Sequence, residues 1–237
     1  MEKISSAINK NIKIGIVGSG KISEEYIKKI KFFNHKVVKI VTKTKSKKNI
    51  FFFKKNKIKN NYLIFEKVIN SLPKVDAWII CSSWDSLKRN MLIALNNNIS
   101  VLIEKSIIIS VKDLLKLKSK LKTNQLSRVS IAYNRNYYDF IPYLKKEVKK
   151  EGIEAVYAYL PESYQSIINK KGNKIKKHLT KYITSHWITL IYNVLKSCNG
   201  KIFLNKKFNY SKKNILENNI IIFDININNK IITLIIN

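Results

Sequence analysis

Cysteine is almost absent from this sequence: the 237 residues include only Cys81 and Cys198. Neither belongs to a Cys-x-x-Cys pair or to a cluster of cysteines and histidines. The sequence therefore predicts neither a disulfide framework nor a metal site. Two isolated thiols are typical of a reducing compartment, so we expect a cytoplasmic protein.

Long hydrophobic runs are also missing. No apolar stretch approaches the roughly 20 residues that a membrane-spanning helix needs. The first residues, Met1–Ser6, lack the basic and then apolar pattern of a signal peptide. Hydrophobic residues nevertheless make up 45% of the chain and aromatic residues 11%, enough for a buried core. The length suits one large domain or two modest ones.

Acidic residues are few: 15 Asp and Glu stand against 46 Lys and Arg, a formal net charge of +31. Such an excess raises the possibility of nucleic-acid binding. Almost all of the basic residues are lysines, however, and they are spread along the chain, whereas bidentate recognition of phosphates and bases favours arginine. We expect a solvated coat of lysines; nucleic acid becomes a partner only if the lysines cluster on one face.

Glycine is rare as well, yet three of the 6 glycines lie in Ile12–Ser23, and two of these three form one motif. An apolar strand runs into Gly18-x-Gly20-x-x-Ser23, and a helical pattern follows. This order presents bare backbone N–H groups to a pyrophosphate, and serine is small enough for the last position. A tight turn without a ligand is the alternative. The predicted cofactor-binding residues are Gly18, Ser19, Gly20, Lys21 and Ile22.

The second strand pattern ends at Thr42-Lys43 without the acid that usually binds the ribose 2′-hydroxyl of NAD. A hydroxyl and a lysine suit a 2′-phosphate better, so the sequence favours NADP over NAD. The alternative is that Lys43 is one more surface lysine.

Strand and helix patterns alternate in the first half, which implies a parallel sheet covered on both faces. The predicted strands are Ile12–Val17, Lys36–Thr42, Asn61–Ile64, Ala77–Cys81, Ser100–Ile103 and Arg128–Tyr133. The helices are Ile22–Phe32, Phe65–Ser71, Asp85–Asn97 and Ser110–Lys122, with a short helix in a loop at Lys43–Lys59.

The second half predicts an α+β domain with a mainly antiparallel open sheet. We place the domains at residues 1–124 and 125–237. The expected helices are Phe140–Lys150 and Ser185–Leu195, with a loop at Ser163–Thr180. The expected strands are Ile153–Tyr159, Lys201–Phe208, Ile220–Ile227 and Lys230–Ile236, the last two joined by an Asn-Asn turn.

Two further sites carry chemistry. Glu104-Lys105 ends a buried strand at its carboxyl end, where α/β folds place ligands. Burial favours the neutral form of a lysine, which can then relay a proton; an exposed ion pair is the alternative. His186 begins an apolar helix, where a histidine is catalytic or merely structural.

Together these motifs resemble the Gfo/Idh/MocA oxidoreductases, the family of glucose–fructose oxidoreductase and inositol dehydrogenase. Beside the glycine turn, Asp76–Ser83, Met91–Leu95 and Val101–Ser106 are similar to the family block "DAVIIATP … HVLVEKP". The stretch Ile131–Tyr137 is similar to "GYNRRF", and the helix from Ser185 to "GSHLIDL".

The resemblance implies a Rossmann domain, a second α/β domain, and hydride transfer between a sugar or cyclitol carbon and NAD(P). Lys105 would contact substrate and relay the proton, Glu104 would hold Lys105, and His186 would be the acid or base. The remaining assignments are Ser82, Ser83, Glu104, Lys105 and Arg135 to the cofactor, and Lys105, Tyr133, Tyr182 and His186 to the substrate.

Three positions depart from the family pattern: Ser106 replaces a proline, and Tyr182 and Thr189 stand where acids often flank the histidine. The chain is also shorter than a usual member, which predicts an altered sheet edge and dimer surface. We expect any homo-oligomer to form through the C-terminal sheet. We expect a sugar, cyclitol or sugar-nucleotide dehydrogenase; a non-catalytic relative that binds NAD(P) as a partner subunit is the alternative.

Overall fold

The computed structural model describes residues 11–43, 45–66, 73–105, 111–152, 157–160, 169, 185–197, 221–227 and 230–236. The chain divides into two compact units, Met1–Ala132 and Tyr133–Asn237. Three predicted elements fall largely outside the described residues: the helix at Phe65–Ser71, the loop at Ser163–Thr180 and the strand at Lys201–Phe208.

The first unit contains a six-stranded sheet in the order β3-β2-β1-β4-β5-β6, with every neighbouring pair parallel. This is the strand order of the Rossmann fold, in which ligands bind where the order reverses, between β1 and β4. The predicted parallel sheet is confirmed. Its strands are β1 (Lys13–Val17), β2 (Lys36–Thr42), β3 (Leu63–Phe65), β4 (Ala77–Ile80), β5 (Ser100–Ile103) and β6 (Val129–Ile131).

The helices of this unit follow the spacing of their apolar residues. In the first helix Ile27 and Ile30 are buried three residues apart, and in the third Leu87, Met91 and Leu95 recur every four residues. These helices are α1 (Lys21–Phe32), α2 (Lys47–Lys55), α3 (Trp84–Asn96), α4 (Val111–Lys120) and α5 (Thr123–Leu126), with a 3₁₀ turn at Asn60–Tyr62.

Trp78, on β4, is fully buried at the centre of the sheet. It is paired in register with Gly15 of β1, and a Cβ atom on Gly15 would lie 2.5 Å from the indole ring. The indole Nε1–H donates to the carbonyl of Pro73 at 3.2 Å. Glycine at position 15 is therefore required by packing against a side chain, and its backbone conformation is ordinary.

In the second unit, helices α6 (Phe140–Glu151) and α7 (Ser185–Leu195) pack through Ile141, Val148, Leu190 and Val194. The described strands are β7 (Tyr157–Leu160), β8 (Ile221–Ile227) and β9 (Lys230–Ile236). Strand β9 lies between the other two, antiparallel to β8 and parallel to β7. The mainly antiparallel character of this domain stays a prediction, as does the Asn-Asn turn, which lies outside the described residues.

The boundary between the two compact units lies between Ala132 and Tyr133, whereas the sequence places the domain limit at residue 124. The difference arises because β6 hydrogen-bonds to β5 and so belongs to the first sheet. Within the described ranges, no helix has the length and apolarity needed to cross a membrane. The same ranges hold no group of three or more His, Cys, Asp or Glu side chains arranged to bind a metal ion.

Candidate functional site

A cleft of about 570 Å³ opens at the carboxyl ends of β1, β2 and β4. The structure brings together around it several predicted cofactor residues that are far apart in the sequence: the glycine turn, the end of β2 and the loop after β4. The lining residues are Val17, Gly18, Ser19, Gly20, Val41, Thr42, Lys43, Cys81, Ser82, Ser83, Ser86, Arg89 and Asn90.

The glycine turn lines the cleft and is tied to β2, because the backbone N–H of Gly18 donates to the carbonyl of Val41 at 2.8 Å. Gly18 has φ +122°, and a Cβ atom there would lie 2.7 Å from the carbonyl oxygen of Cys81. Gly20 begins α1, and a Cβ atom there would meet nothing within 4 Å. The N–H groups of Lys21 and Ile22 are in the first helical turn, where no intrahelical acceptor exists. This geometry suits a pyrophosphate held by helix N–H groups and the helix dipole.

Ser23, the last residue of the motif, packs α1 tightly against the sheet. It is fully buried, and its Oγ lies 3.1 Å from Sγ of Cys81 at the end of β4. Burial raises the pKa of Cys81 to about 12. The thiol therefore stays protonated at neutral pH and serves as a packing and hydrogen-bonding group, with little nucleophilic character.

A hydrogen-bonded ring joins the glycine turn to the end of β2. Ser19 Oγ donates to Oδ1 of Asn49 at 2.8 Å, and Asn49 Nδ2 donates to Oγ1 of Thr42 at 3.2 Å. The hydroxyls of Ser19 and Thr42 are 3.0 Å apart, so a bond from Thr42 to Ser19 closes the ring. Sequence reasoning missed Asn49. The available signal was Ser46, the N-cap residue of α2, whose side chain accepts a hydrogen bond from the backbone N–H of Asn49.

The opposite wall of the cleft is a hydroxyl-rich face of α3. Ser82, Ser86 and Asn90 recur every four residues, and both Ser86 Oγ (2.9 Å) and Asn90 Nδ2 (3.1 Å) donate to Ser82 Oγ. Lys43 Nζ reaches across from β2 to within 3.5 Å of Ser83 Oγ. Sequence reasoning missed Ser86, Arg89 and Asn90, although their helical spacing from the two serines was a usable signal.

The predicted Glu104-Lys105 pair follows β5, and the backbone N–H of Glu104 donates to the carbonyl of Ile80 at 2.8 Å. The half-buried Glu104 carboxylate accepts a hydrogen bond of 2.5 Å from the hydroxyl of Tyr26 on α1. Burial, together with that bond, raises the pKa of Tyr26, so its hydroxyl remains a donor. Lys105 is half-buried. Tyr26 was not predicted.

In the second unit, His186 is buried in the first turn of α7. Its ring meets the Tyr133 ring edge to face, with centroids 5.8 Å apart. The guanidinium of Arg135, two residues beyond Tyr133, lies 3.8 Å above the Trp187 ring. The structure thus brings together Tyr133 and His186, two residues assigned to the substrate, and the assigned roles of these residues and Arg135 stay predictions.

Two of the departures from the family pattern concern the surroundings of His186. Thr189 Oγ1 donates to the carbonyl of Ser185 at 2.6 Å, so this hydroxyl is engaged by the helix backbone. Tyr182 and Ser106 lie outside the described residues.

Comparison with known proteins places this geometry in a family. A search of curated proteins finds no match to the chain. Among solved structures, scyllo-inositol dehydrogenase from Lactobacillus casei, with bound NAD(H) and scyllo-inositol, has a TM-score of 0.69 at 18% identity, covering 95% of this chain and 69% of that one.

Two other solved structures show the same fold. A myo-inositol dehydrogenase from Corynebacterium glutamicum gives 0.69 at 15% identity, covering 96% and 68% of the two chains. The UDP-N-acetylglucosamine 3-dehydrogenase from Acidithiobacillus ferrooxidans gives 0.64 at 12%, covering 95% and 69%. Residues 12–133 match the model of the Gfo/Idh/MocA family, described as an oxidoreductase family with an NAD-binding Rossmann fold. Because that match spans more than half of the sequence, this chain belongs to the Gfo/Idh/MocA family of oxidoreductases.

Proposed function

We propose that this protein is an NAD(P)-dependent dehydrogenase that oxidises or forms a CH–OH group of a polyol, sugar or sugar nucleotide. The observation that carries the proposal is the cradle at Gly18 and Gly20, open to the cleft in front of α1, in a chain of an oxidoreductase family. The substrate class is supported by the inositol and sugar-nucleotide dehydrogenases that share the fold.

The residues of the cleft fit a dinucleotide. The backbone at Gly18, Ser19 and Gly20, with the first N–H groups of α1, would hold the pyrophosphate. Thr42, Lys43, Ser82 and Ser83 would contact the adenosine half. When bound, the nicotinamide supplies the hydride chemistry.

The remaining roles belong to the substrate. His186 would accept the proton of the substrate hydroxyl, since an imidazole titrates near neutral pH. Lys105 would bind that oxygen and relay the proton, with Glu104 holding Lys105. Tyr133 and Tyr182 would contact the substrate, and Arg135 the cofactor.

The charges of the cleft support NADP over NAD. Lys43 and Arg89 both line it, and none of its described lining residues is Asp or Glu. Two cationic side chains in the lining favour an extra phosphate on the ribose, whereas NAD usually pairs its 2′-hydroxyl with an acid.

The direct test is a titration of the protein with NADH and with NADPH, followed by nicotinamide fluorescence. We expect both to bind, NADPH more tightly. Binding of neither would remove the proposal. Turnover is then measured by nicotinamide absorbance with scyllo-inositol, myo-inositol and UDP-N-acetylglucosamine.

A second candidate is a catalytically reduced relative that binds NAD(P) and acts as a binding or partner subunit. The observation in its favour is Thr189, whose hydroxyl is engaged by the helix backbone where many family members carry an acid. Nucleotide binding with no turnover on any polyol or sugar would support this candidate. Turnover that His186→Ala abolishes, with NADPH binding unchanged, would exclude it.

A further inference from the structure

The inner face of α1 carries two polar contacts to the sheet, one turn apart. Ser23 reaches Cys81 after β4, and Tyr26 reaches Glu104 after β5. Both contacts lie behind the glycine turn, on the side of α1 that faces the strands. The helix that presents N–H groups to the cleft therefore also holds the carboxylate that precedes Lys105.

In the Tyr26 contact the partner of the half-buried Glu104 carboxylate is a neutral donor. An arginine or lysine in that place would cancel the charge of Glu104, whereas a phenol fixes the carboxylate and leaves its charge intact. Two titratable groups interact with Glu104: Tyr26 of α1, which donates to it, and Cys81, which follows β4. Burial raises the pKa of both, so both stay protonated and neutral.

We propose that Tyr26 is a positioning residue, whose hydroxyl holds Glu104 as a fixed anion beside Lys105. The inference rests on the proposed function, because its effect on turnover requires Lys105 to act on the substrate oxygen. In the proposed function Glu104 holds Lys105, so a carboxylate that is free to rotate would orient this lysine less well toward the substrate. In this proposal Tyr26 itself does not contact the nucleotide.

The experiment compares Tyr26→Phe with Tyr62→Phe. The second variant makes the same chemical change at a half-buried tyrosine in the 3₁₀ turn before β3. We expect Tyr26→Phe to bind NADPH within about twofold of the unaltered protein. Its kcat should fall roughly 10- to 100-fold with little change in KM, the size expected for losing a hydrogen bond to a charged group. Tyr62→Phe should change none of these.

Adding Glu104→Gln and the double variant completes a thermodynamic cycle. If Tyr26 acts through Glu104, Tyr26→Phe should lower kcat less than about threefold when it is added to the Glu104→Gln variant. Additive effects of the two substitutions on kcat would overturn the inference. Equal kcat and KM values for Tyr26→Phe and Tyr62→Phe would also overturn it.

The four proteins of this cycle are also unfolded with urea, which separates this inference from the proposed function. If the unaltered protein turns over none of the substrates, the proposed function fails. The free energies of unfolding in urea then test the contact. Non-additive effects of the two substitutions on stability support Tyr26 as the residue that holds Glu104, and additive effects reject it.

Discussion

The glycine turn makes a sharp prediction, because its two glycines are constrained for different reasons. Gly20 has φ −88°, a conformation open to any residue, and its missing Cβ faces empty space. Gly20→Ala should therefore fold, with the stability changed by no more than about 1 kcal/mol from the altered helix cap. The added methyl group would occupy the place where backbone and pyrophosphate must approach closely. We expect NADPH affinity to fall by roughly tenfold or more.

Gly18→Ala should instead lower the stability of the fold. Its positive φ costs about 1–3 kcal/mol for a residue with a side chain. The contact of 2.7 Å with the Cys81 carbonyl adds about 1–3 kcal/mol, since backbone atoms do not yield easily. The free energy of unfolding should fall by about 2–6 kcal/mol. Gly152→Ala is the matched control: its φ is +78° but a Cβ atom would meet nothing within 4 Å, so only the conformational cost remains.

Urea unfolding and a fluorescence titration with NADPH measure both quantities on the three variants. The expected order of destabilisation is Gly18→Ala first, then Gly152→Ala, then Gly20→Ala. The affinity for NADPH should fall in Gly20→Ala and stay unchanged in Gly152→Ala. Unimpaired NADPH binding by a folded Gly20→Ala protein would refute the assignment of this cradle to the pyrophosphate. Equal stability of the Gly18 and Gly152 variants would refute the contact argument.

Three further predictions concern other parts of the first unit. Lys43→Ala should weaken NADPH binding by about 5- to 100-fold and NADH binding far less, and Arg89→Gln should act in the same direction. The fluorescence titration measures both affinities. Equal losses for the two nucleotides would deny Lys43 and Arg89 a role at the 2′-phosphate. Gly15→Ala should lower the free energy of unfolding by about 1–3 kcal/mol in urea, because the methyl group would overlap the Trp78 ring, and an unchanged midpoint would contradict that packing. Stability should fall as pH rises between about 9 and 12, because the raised pKa of Cys81 keeps the native thiol protonated while the unfolded thiol ionises; Cys81→Ser should reduce that slope.

The sequence predicted the regular elements where the chain's own pattern is strong. The bounds of β2 and α7 agree with the prediction, since an apolar run and a clear helical spacing define them locally. Helix α2 was expected only as an unbounded short helix, because its Lys- and Asn-rich sequence has little helical signal. Its position depends on burying Phe52 and Phe53 against the sheet, which is a tertiary effect.

The candidate site divides in the same way. The glycine turn is a continuous motif, so its geometry follows from local sequence. Tyr26 reaches the site from α1, and no local pattern marks a side chain whose partner is 78 residues away. Lys43 was predicted because no acid stands at the end of β2. Its place in the cleft depends on tertiary structure, which brings the end of β2 near the start of α3.

The pairing of Gly15 with Trp78 also bears on how this protein can diverge. The indole fills the volume above Gly15, which offers no side chain, so the two positions form a single packing unit across β1 and β4. A larger residue at position 15 is tolerable only after the indole has been replaced by something smaller, and the reverse order leaves a cavity. The centre of this sheet can therefore drift only by paired substitutions, which ties the strand that leads into the glycine turn to the strand that carries Cys81 toward the cleft.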